Sequence, residues 1–330
     1  MPSLKSYHTF ALDASCSTLT PFNSTDAFLD AYTRSDLNYL LGEGSNTVFL
    51  SDFDGQVLVN HITGMTHTET HKAHTLRVGA GENWHKLVST CVENGWHGME
   101  NLALIPGSVG AAPIQNIGAY GCEVMQFIDR VEALEIESGR TLVLSNEECQ
   151  FGYRDSVFKH ALAGRCLITH VTFSLTRNGE PETSYGELAK LTRPTPSAIY
   201  DEVIRIRRQK LPTPSVLGNA GSFFKNPVIT QTHFQALAQT SPDIPGYDVG
   251  NGQVKVPAAW LIDQCGYKGQ ELGGVRCHPT QPLVLTNTGA ATGENVVAMA
   301  RAIINDVSSA FAIPLEPEVR LVGEKGLIAL

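Results

Sequence analysis

At 330 residues the chain exceeds what one hydrophobic core usually supports, so two or three domains are expected, with length enough to enclose a large ligand. Hydrophobic residues at 42% and charged residues at 17% describe an ordinary globular protein, and a net charge of −9 argues against a nucleic-acid surface. Seven scattered cysteines without a C-x-x-C suggest neither a disulfide framework nor a zinc site; with no apolar leader and no membrane-length apolar run, a cytosolic protein is expected.

In chain order, short apolar runs at 38–41, 48–50 and 57–59 alternate with Gly/Asp/Asn turns and read as strands. A strand leads to Gly79-Ala-Gly81. After it Trp84, Leu87, Val88 and Cys91 fall at i, i+3, i+4 and i+7, an amphipathic helix that stops near Gly95. Residues 131–136, 141–144 and 167–175 are rich in β-branched side chains and read as strands flanking a Gly/Ala-rich loop. Residues 196–210 read as a helix with Ile199, Val203 and Ile206 on one face. Arg205, Arg207, Arg208 and Lys210 gather at its C-terminal end, where they complement the helix dipole or bind an anion. A Gly-bearing loop at 217–227 and an exposed stretch at 241–252 follow. Thr292 then caps a long helix whose stripe is Val296, Ala300, Ile303, Val307 and Phe311, and residues 315–322 form a strand with carboxylates at its start.

The loop at 105–121 contains four glycines, three alanines and two prolines but no charged residue. Its backbone can approach a bulky phosphate-bearing cofactor, and Gln115, Asn116 and Tyr120 add polar groups suited to a ligand's edge; a tight loop in a packed core is the plainer alternative. A Rossmann reading fails at Gly42-Glu-Gly44-Ser-Asn-Thr47, which lacks the third glycine and runs into a strand. At Gly79-Ala-Gly81 it is disfavoured by bulky Trp84 where close helix–strand packing wants a small residue. A Gly-x-Gly-Ser-Asn turn between strands and a later Gly/Ala loop fit a non-Rossmann flavin cradle better. His67, His71 and His74 have i, i+4, i+7 spacing, but the intervening Thr-rich sequence is not helical in character, so no metal is expected.

Five segments carry a family resemblance: residues 41–46, the 105–121 loop, Phe151-Gly-Tyr-Arg-Asp-Ser156, Gly218-Asn-Ala-Gly-Ser-Phe-Phe-Lys-Asn-Pro227 and Leu315-Glu-Pro-Glu-Val-Arg320. In this order, across nearly the whole chain, they resemble the UDP-N-acetylenolpyruvoylglucosamine reductases, flavoenzymes of peptidoglycan precursor synthesis. The resemblance implies an α+β architecture: a two-part FAD-binding region of the vanillyl-alcohol-oxidase/PCMH type (1–63 with 314–330, and 64–210) and a C-terminal α+β substrate domain (211–313). It also implies a monomer with non-covalent FAD and NADPH as cosubstrate. Gly42, Gly44, Ser45, Asn46, Pro106, Gly107, Ser108, Gly110, Ala111, Gln115, Asn116, Gly118, Ala119 and Tyr120 would hold the cofactor. Lys210, Asn226, Lys268 and Gln281 match positions that hold the UDP portion. Tyr185 matches the substrate-covering tyrosine of one of the family's two subtypes. Another FAD-dependent oxidoreductase on the same fold, such as an oxidase, is the alternative.

The implied reaction delivers hydride to an enolpyruvyl ether. An enol ether accepts hydride poorly, so its carboxylate must take up the electrons as an enolate-like species. Arg154 is the expected charge sink, since a guanidinium stays protonated and grips both carboxylate oxygens. Glu318 matches the family's catalytic glutamate and is expected to be protonated when hydride arrives. Ser222 matches the proton donor to the resulting carbanion.

Overall fold

A computed structural model of the chain describes residues 1–34, 37–177, 179–192 and 194–330. They pack as two compact units, one of residues 18–43 and 55–209, the other of residues 1–17, 44–54 and 210–330. The division differs from the three parts expected, because the N-terminal 63 residues are shared between both units. The exchange occurs within strands Cys16–Phe22 and Phe53–Asn60 and at the Gly42-Glu-Gly44 turn.

The 18–43/55–209 unit is built on a five-stranded sheet in the order Thr141–Ser145, Ile128–Glu135, Cys166–Thr176, Ala73–Gly79, Met65–Glu69, antiparallel throughout. Burial follows position in the sheet: the central strand Cys166–Thr176 is mostly buried, whereas the edge strand Met65–Glu69 is exposed at every residue. Helix Trp84–Glu93 forms where the apolar period predicts it. Asn83 caps it by accepting from the Lys86 N–H at 2.8 Å, and Trp84, Leu87, Val88 and Cys91 are its buried face. Trp84 is an anchor: its indole N–H donates to the Leu102 carbonyl at 2.9 Å and its ring meets Phe173 edge-on at 5.9 Å. An antiparallel sheet has no βαβ crossover, which removes the Rossmann reading of Gly79-Ala-Gly81. A second sheet, ordered Cys16–Phe22, Phe53–Asn60, Asn38–Leu41, shares with helix Thr25–Ala31 a core of Phe22, Phe28, Leu58 and Ile62.

The other unit holds three small sheets around helix Gly293–Phe311, whose buried face includes the predicted Val296, Ala300, Ile303, Val307 and Phe311. Thr292 and Asn295 form its capping box. A Cβ at Gly293 would collide with the Leu50 carbonyl, so only glycine admits this helix start beside strand Thr47–Phe49. The fold is α+β, as expected.

Three local expectations change. Residues 218–222 form strand Gly218–Ser222 rather than a loop, paired with Val284–Asn287. Within the stretch read as exposed, Tyr247–Gly250 is a strand, exposed as expected. The C-terminal strand begins at Arg320, not 315. Pro317 lacks an N–H, and the backbone around it pairs with residues 223–225: the Glu318 N–H donates to the Phe223 carbonyl at 2.8 Å and the Lys225 N–H to the Glu316 carbonyl at 2.9 Å.

Candidate active site

In the 18–43/55–209 unit the 105–121 loop runs against the start of helix Trp84–Glu93. The Gly110 N–H donates to the Ala80 carbonyl, the Val109 N–H to Glu82, and the Trp84 N–H to the Gly107 carbonyl, at 2.8–2.9 Å. A Cβ on Gly110 would lie 2.5 Å from that of Ala80, and one on Gly42 would strike the Ser108 hydroxyl. These glycines therefore set backbone spacing. Asn83 also donates to the Glu43 carboxylate at 2.7 Å; burial pushes that carboxyl above its ordinary range, with the Asn83 hydrogen bond opposing.

Three residues at the rim of this loop, Leu104, Asn116 and Tyr120, have φ of 57°, 44° and 49°, a region that side chains other than glycine rarely occupy. Asn116 shows what holds one of them. It is fully buried, its amide donates to Glu123 and to the Gly152 carbonyl at 2.9 Å each, and its oxygen accepts from the Met125 N–H at 3.1 Å. With three partners in the protein, its side chain shapes the loop. Arg154 also has positive φ, 53°, and its guanidinium donates to the Gly118 carbonyl at 2.8 Å and the Asn116 carbonyl at 3.3 Å. The expected charge sink is thus laced into the expected cofactor loop. Its neighbour Asp155 pairs with His160 at 2.8 Å. Tyr185 is exposed and meets the Tyr120 ring edge-on at 6.3 Å.

Helix Pro196–Lys210 separates its cations. Arg205 is bound by Glu202 and Glu187, a structural pairing at the surface. Arg207 is different: its Nε is buried with no hydrogen-bond partner among the described residues, and burial lowers its pKa, with the Tyr120 phenol opposing. Burial, and then the Arg208 and Arg207 charges, hold His85 below its ordinary range, in keeping with the His85 Nδ1 accepting from the Leu104 N–H at 3.0 Å. Of the sequence's two readings for this basic cluster, helix dipole or anion, Arg205 fits neither, being held by carboxylates, and Arg207 is the one suited to an anion.

Gly44, Ser45, Asn46, Ser222, Glu318 and the residues matched to UDP binding belong to the other unit. A Cβ on Gly44, whose φ is 66°, would overlap the Tyr7 carbonyl. Ser222 ends strand Gly218–Ser222 at an irregularity in its pairing. Asn219, which sequence reasoning quoted only as part of a motif, builds that irregularity: its side-chain oxygen accepts from the Gly221 N–H at 3.0 Å, and its amide donates to the Leu217 and Pro212 carbonyls. An Asn two residues before a positive-φ glycine was the available signal. Glu318 is partly buried and backbone-paired to Phe223, the residue after Ser222. Glu316 is exposed and paired with Lys225 at 3.0 Å. The Asn226 side-chain oxygen accepts from the Ala258 N–H at 2.9 Å, Lys268 pairs with Asp263 at 3.2 Å, Gln281 accepts through its carbonyl from Val284, and Lys210 ends its helix exposed.

The residues present fit an FAD. Gly42 and Gly110 let the loop pack tightly against its own unit, and the buried Arg207 Nε, with no acceptor among the described residues, suits an anionic cofactor group. A family model described as an FAD binding domain matches residues 28–145. This non-Rossmann α+β fold, with an FAD-binding domain, is that of an FAD-dependent oxidoreductase.

A second family model, UDP-N-acetylenolpyruvoylglucosamine reductase, C-terminal domain, matches residues 212–322. A UDP-N-acetylenolpyruvoylglucosamine reductase of Pseudoalteromonas atlantica is 47% identical over 333 aligned positions, covering 100% of this chain and 96% of its own. The Pasteurella multocida protein of the same name is 47% identical over 99% of this chain and 97% of its own. The chain belongs to the UDP-N-acetylenolpyruvoylglucosamine reductase family. The crystal structure of the Thermus caldophilus enzyme shares the fold, with a TM-score of 0.65 at 24% identity over 97% of both chains. Among the described residues no helix is long and apolar enough to cross a membrane.

Proposed function

We propose that this protein reduces the enolpyruvyl double bond of UDP-N-acetylglucosamine enolpyruvate, giving UDP-N-acetylmuramate for peptidoglycan synthesis, with NADPH as the reductant. Near full-length identity to named reductases supports the substrate. The observation that carries the site is the 2.8 Å hydrogen bond from the Glu318 N–H to the Phe223 carbonyl, which ties the glutamate to the residue beside Ser222. Bound FAD supplies the hydride chemistry that side chains lack.

Arg154, held by two carbonyls of the Gly/Ala loop, is oriented before substrate arrives and stabilises the negative charge that develops on the substrate carboxylate. Glu318 acts in the reaction in its protonated form. Ser222, positioned by the Asn219-built irregularity, donates the proton that quenches the substrate carbanion. Tyr185 covers the substrate and keeps water out, while Lys210, Asn226, Lys268 and Gln281 grip the UDP portion. The remaining cofactor contacts come from Gly42, Gly44, Ser45 and Asn46 and from the residues matched in the 105–121 loop. The protein works as a monomer, and seven free cysteines, most of them buried, support a reducing cytoplasm.

The test is an anaerobic absorbance trace at the flavin band. NADPH should bleach the purified yellow protein, and UDP-N-acetylglucosamine enolpyruvate should restore the colour. In Ser222→Ala the bleaching should persist and the recolouring should be lost; normal turnover in that variant would end the assignment of Ser222.

A further inference from the structure

We propose that the exposed edge hairpin of the five-stranded sheet carries a binding site for a divalent transition-metal ion of the zinc class, with His67 and His74 as its core ligands and Glu69 as the third. The i, i+4, i+7 spacing would need a helical face, which this segment does not form. The residues lie instead on paired antiparallel strands, Met65–Glu69 and Ala73–Gly79, with Glu69 directly opposite His74 and His67 opposite Leu76. His67 and Glu69 are two apart on one strand and so share a face, and His74 opposite Glu69 joins them there. The hairpin thereby replaces His71, which the helical spacing would have used, with Glu69.

The distances suit a metal. The His67 Nε2 and His74 Nδ1 atoms are 3.1 Å apart. Two imidazole nitrogens each about 2.05 Å from a shared ion and at that separation subtend about 98°, between a tetragonal and a tetrahedral angle. A Glu69 oxygen lies 3.7 Å from His74 Nδ1, and the three ligand atoms all lie within 4.8 Å of one another. Adjacent ligands of a tetrahedral ion sit about 3.3 Å apart, so closure needs side-chain adjustments on the order of 1 Å.

The surroundings supply the supports such sites use. Arg177 donates to Glu69 at 2.7 Å and steadies the carboxylate, which has further lone pairs to offer. Trp96 stacks on His67 with ring centroids 4.1 Å apart and lies 5.7 Å from His74, fixing the imidazoles from one side. Next to it, His97 carries a buried Nδ1 with no hydrogen-bond partner among the described residues. An ion here would pin an edge strand whose every residue is exposed, closing the part of the sheet with least packing to hold it.

The experiment uses untagged, chelator-treated holoenzyme and zinc chloride alone, followed by calorimetry, with nickel quenching of Trp96 fluorescence as a second readout. One zinc per chain is expected, with thermal unfolding raised in excess zinc. His67→Ala and His74→Ala should each weaken binding about tenfold or more, with Glu69→Gln weaker by a few-fold. His71→Ala should leave affinity unchanged, and Trp96→Phe should abolish the nickel signal while leaving zinc binding. No zinc binding below about 1 mM, or binding indifferent to the His67→Ala/His74→Ala pair, would overturn the site.

Discussion

The side-chain amide of Asn46 donates to the backbone carbonyl of Glu318 at 3.1 Å across 272 positions of sequence, while the Asn46 carbonyl accepts from the Arg320 N–H at 2.9 Å. One residue of the first glycine turn thus brackets the glutamate on both sides. Strand Thr47–Phe49, which follows Asn46, runs parallel to Arg320–Gly323 and extends the same clamp. A turn read as a cofactor contact is also the positioning device of a residue assigned to the chemistry.

Asn46→Ala should therefore damage turnover more than stability. Losing the hydrogen bond costs about 1 kcal/mol, a shift of a few degrees in unfolding temperature. Misplacing Glu318 should lower kcat about tenfold or more. Steady-state kinetics at saturating FAD separate the two roles of Asn46: if its main work were cofactor binding, excess FAD would restore kcat.

Gly110→Ala tests whether the cradle depends on close backbone approach. The new Cβ would meet that of Ala80 at 2.5 Å, backed by the Ala80 Cα and carbonyl at 3.1 Å, none of which is a flexible side-chain end. The loop must move away from helix Trp84–Glu93, breaking the Gly110 to Ala80 hydrogen bond. A loss of about 1–3 kcal/mol and a purified protein largely depleted of flavin are expected. Wild-type flavin content at unchanged melting temperature would contradict the spacing role.

Much of this site was legible in the sequence because its parts are local. The Gly/Ala loop, the helix at Trp84 and the capped helix after Thr292 each announce themselves within a few residues, through composition or a 3.6-residue period. Partnerships between distant segments were not legible. Nothing in the order of residues shows that Asn46 holds Glu318, that Glu316 is taken by Lys225, or that His67 meets Glu69 and His74 on a hairpin. The hairpin also shows how a helical spacing misleads: His67, His71 and His74 fit a helix period, but threonine-rich sequence prefers strand and puts His71 at the exposed turn. Arg207 fell between two readings because only burial distinguishes it from Arg205.

Acid sensitivity should centre on Glu132. Arg77 reaches it across the central strand with two hydrogen bonds of 2.8 and 2.7 Å, which hold its carboxyl below the ordinary range against the opposing effect of burial. A depressed carboxyl stabilises the fold above its unfolded pKa, about 4.3, and that stabilisation is lost as pH falls through the lower folded value. Because Arg77 is partly solvent-exposed, about 1 kcal/mol is expected after screening. Glu132→Gln should be less stable than wild type at pH 7 and should show a shallower decline between about pH 5 and 3. Parallel melting curves over that window would assign the acid transition to other groups.

Arg207→Met gives opposite signs in the free and the loaded protein. A buried guanidinium whose Nε lacks an acceptor is costly, and a methionine of similar length removes that cost while keeping apolar contact with its helix neighbours. The apoprotein should thus melt at the same temperature or higher. If Arg207 awaits an anionic cofactor beside the Tyr120 loop, FAD affinity should fall about tenfold or more, and the melting-temperature gain on adding FAD should shrink with it. Differential scanning with and without FAD reads both effects in one preparation. A variant that loses apoprotein stability yet keeps full flavin affinity would show instead that Arg207 serves the packing of its helix.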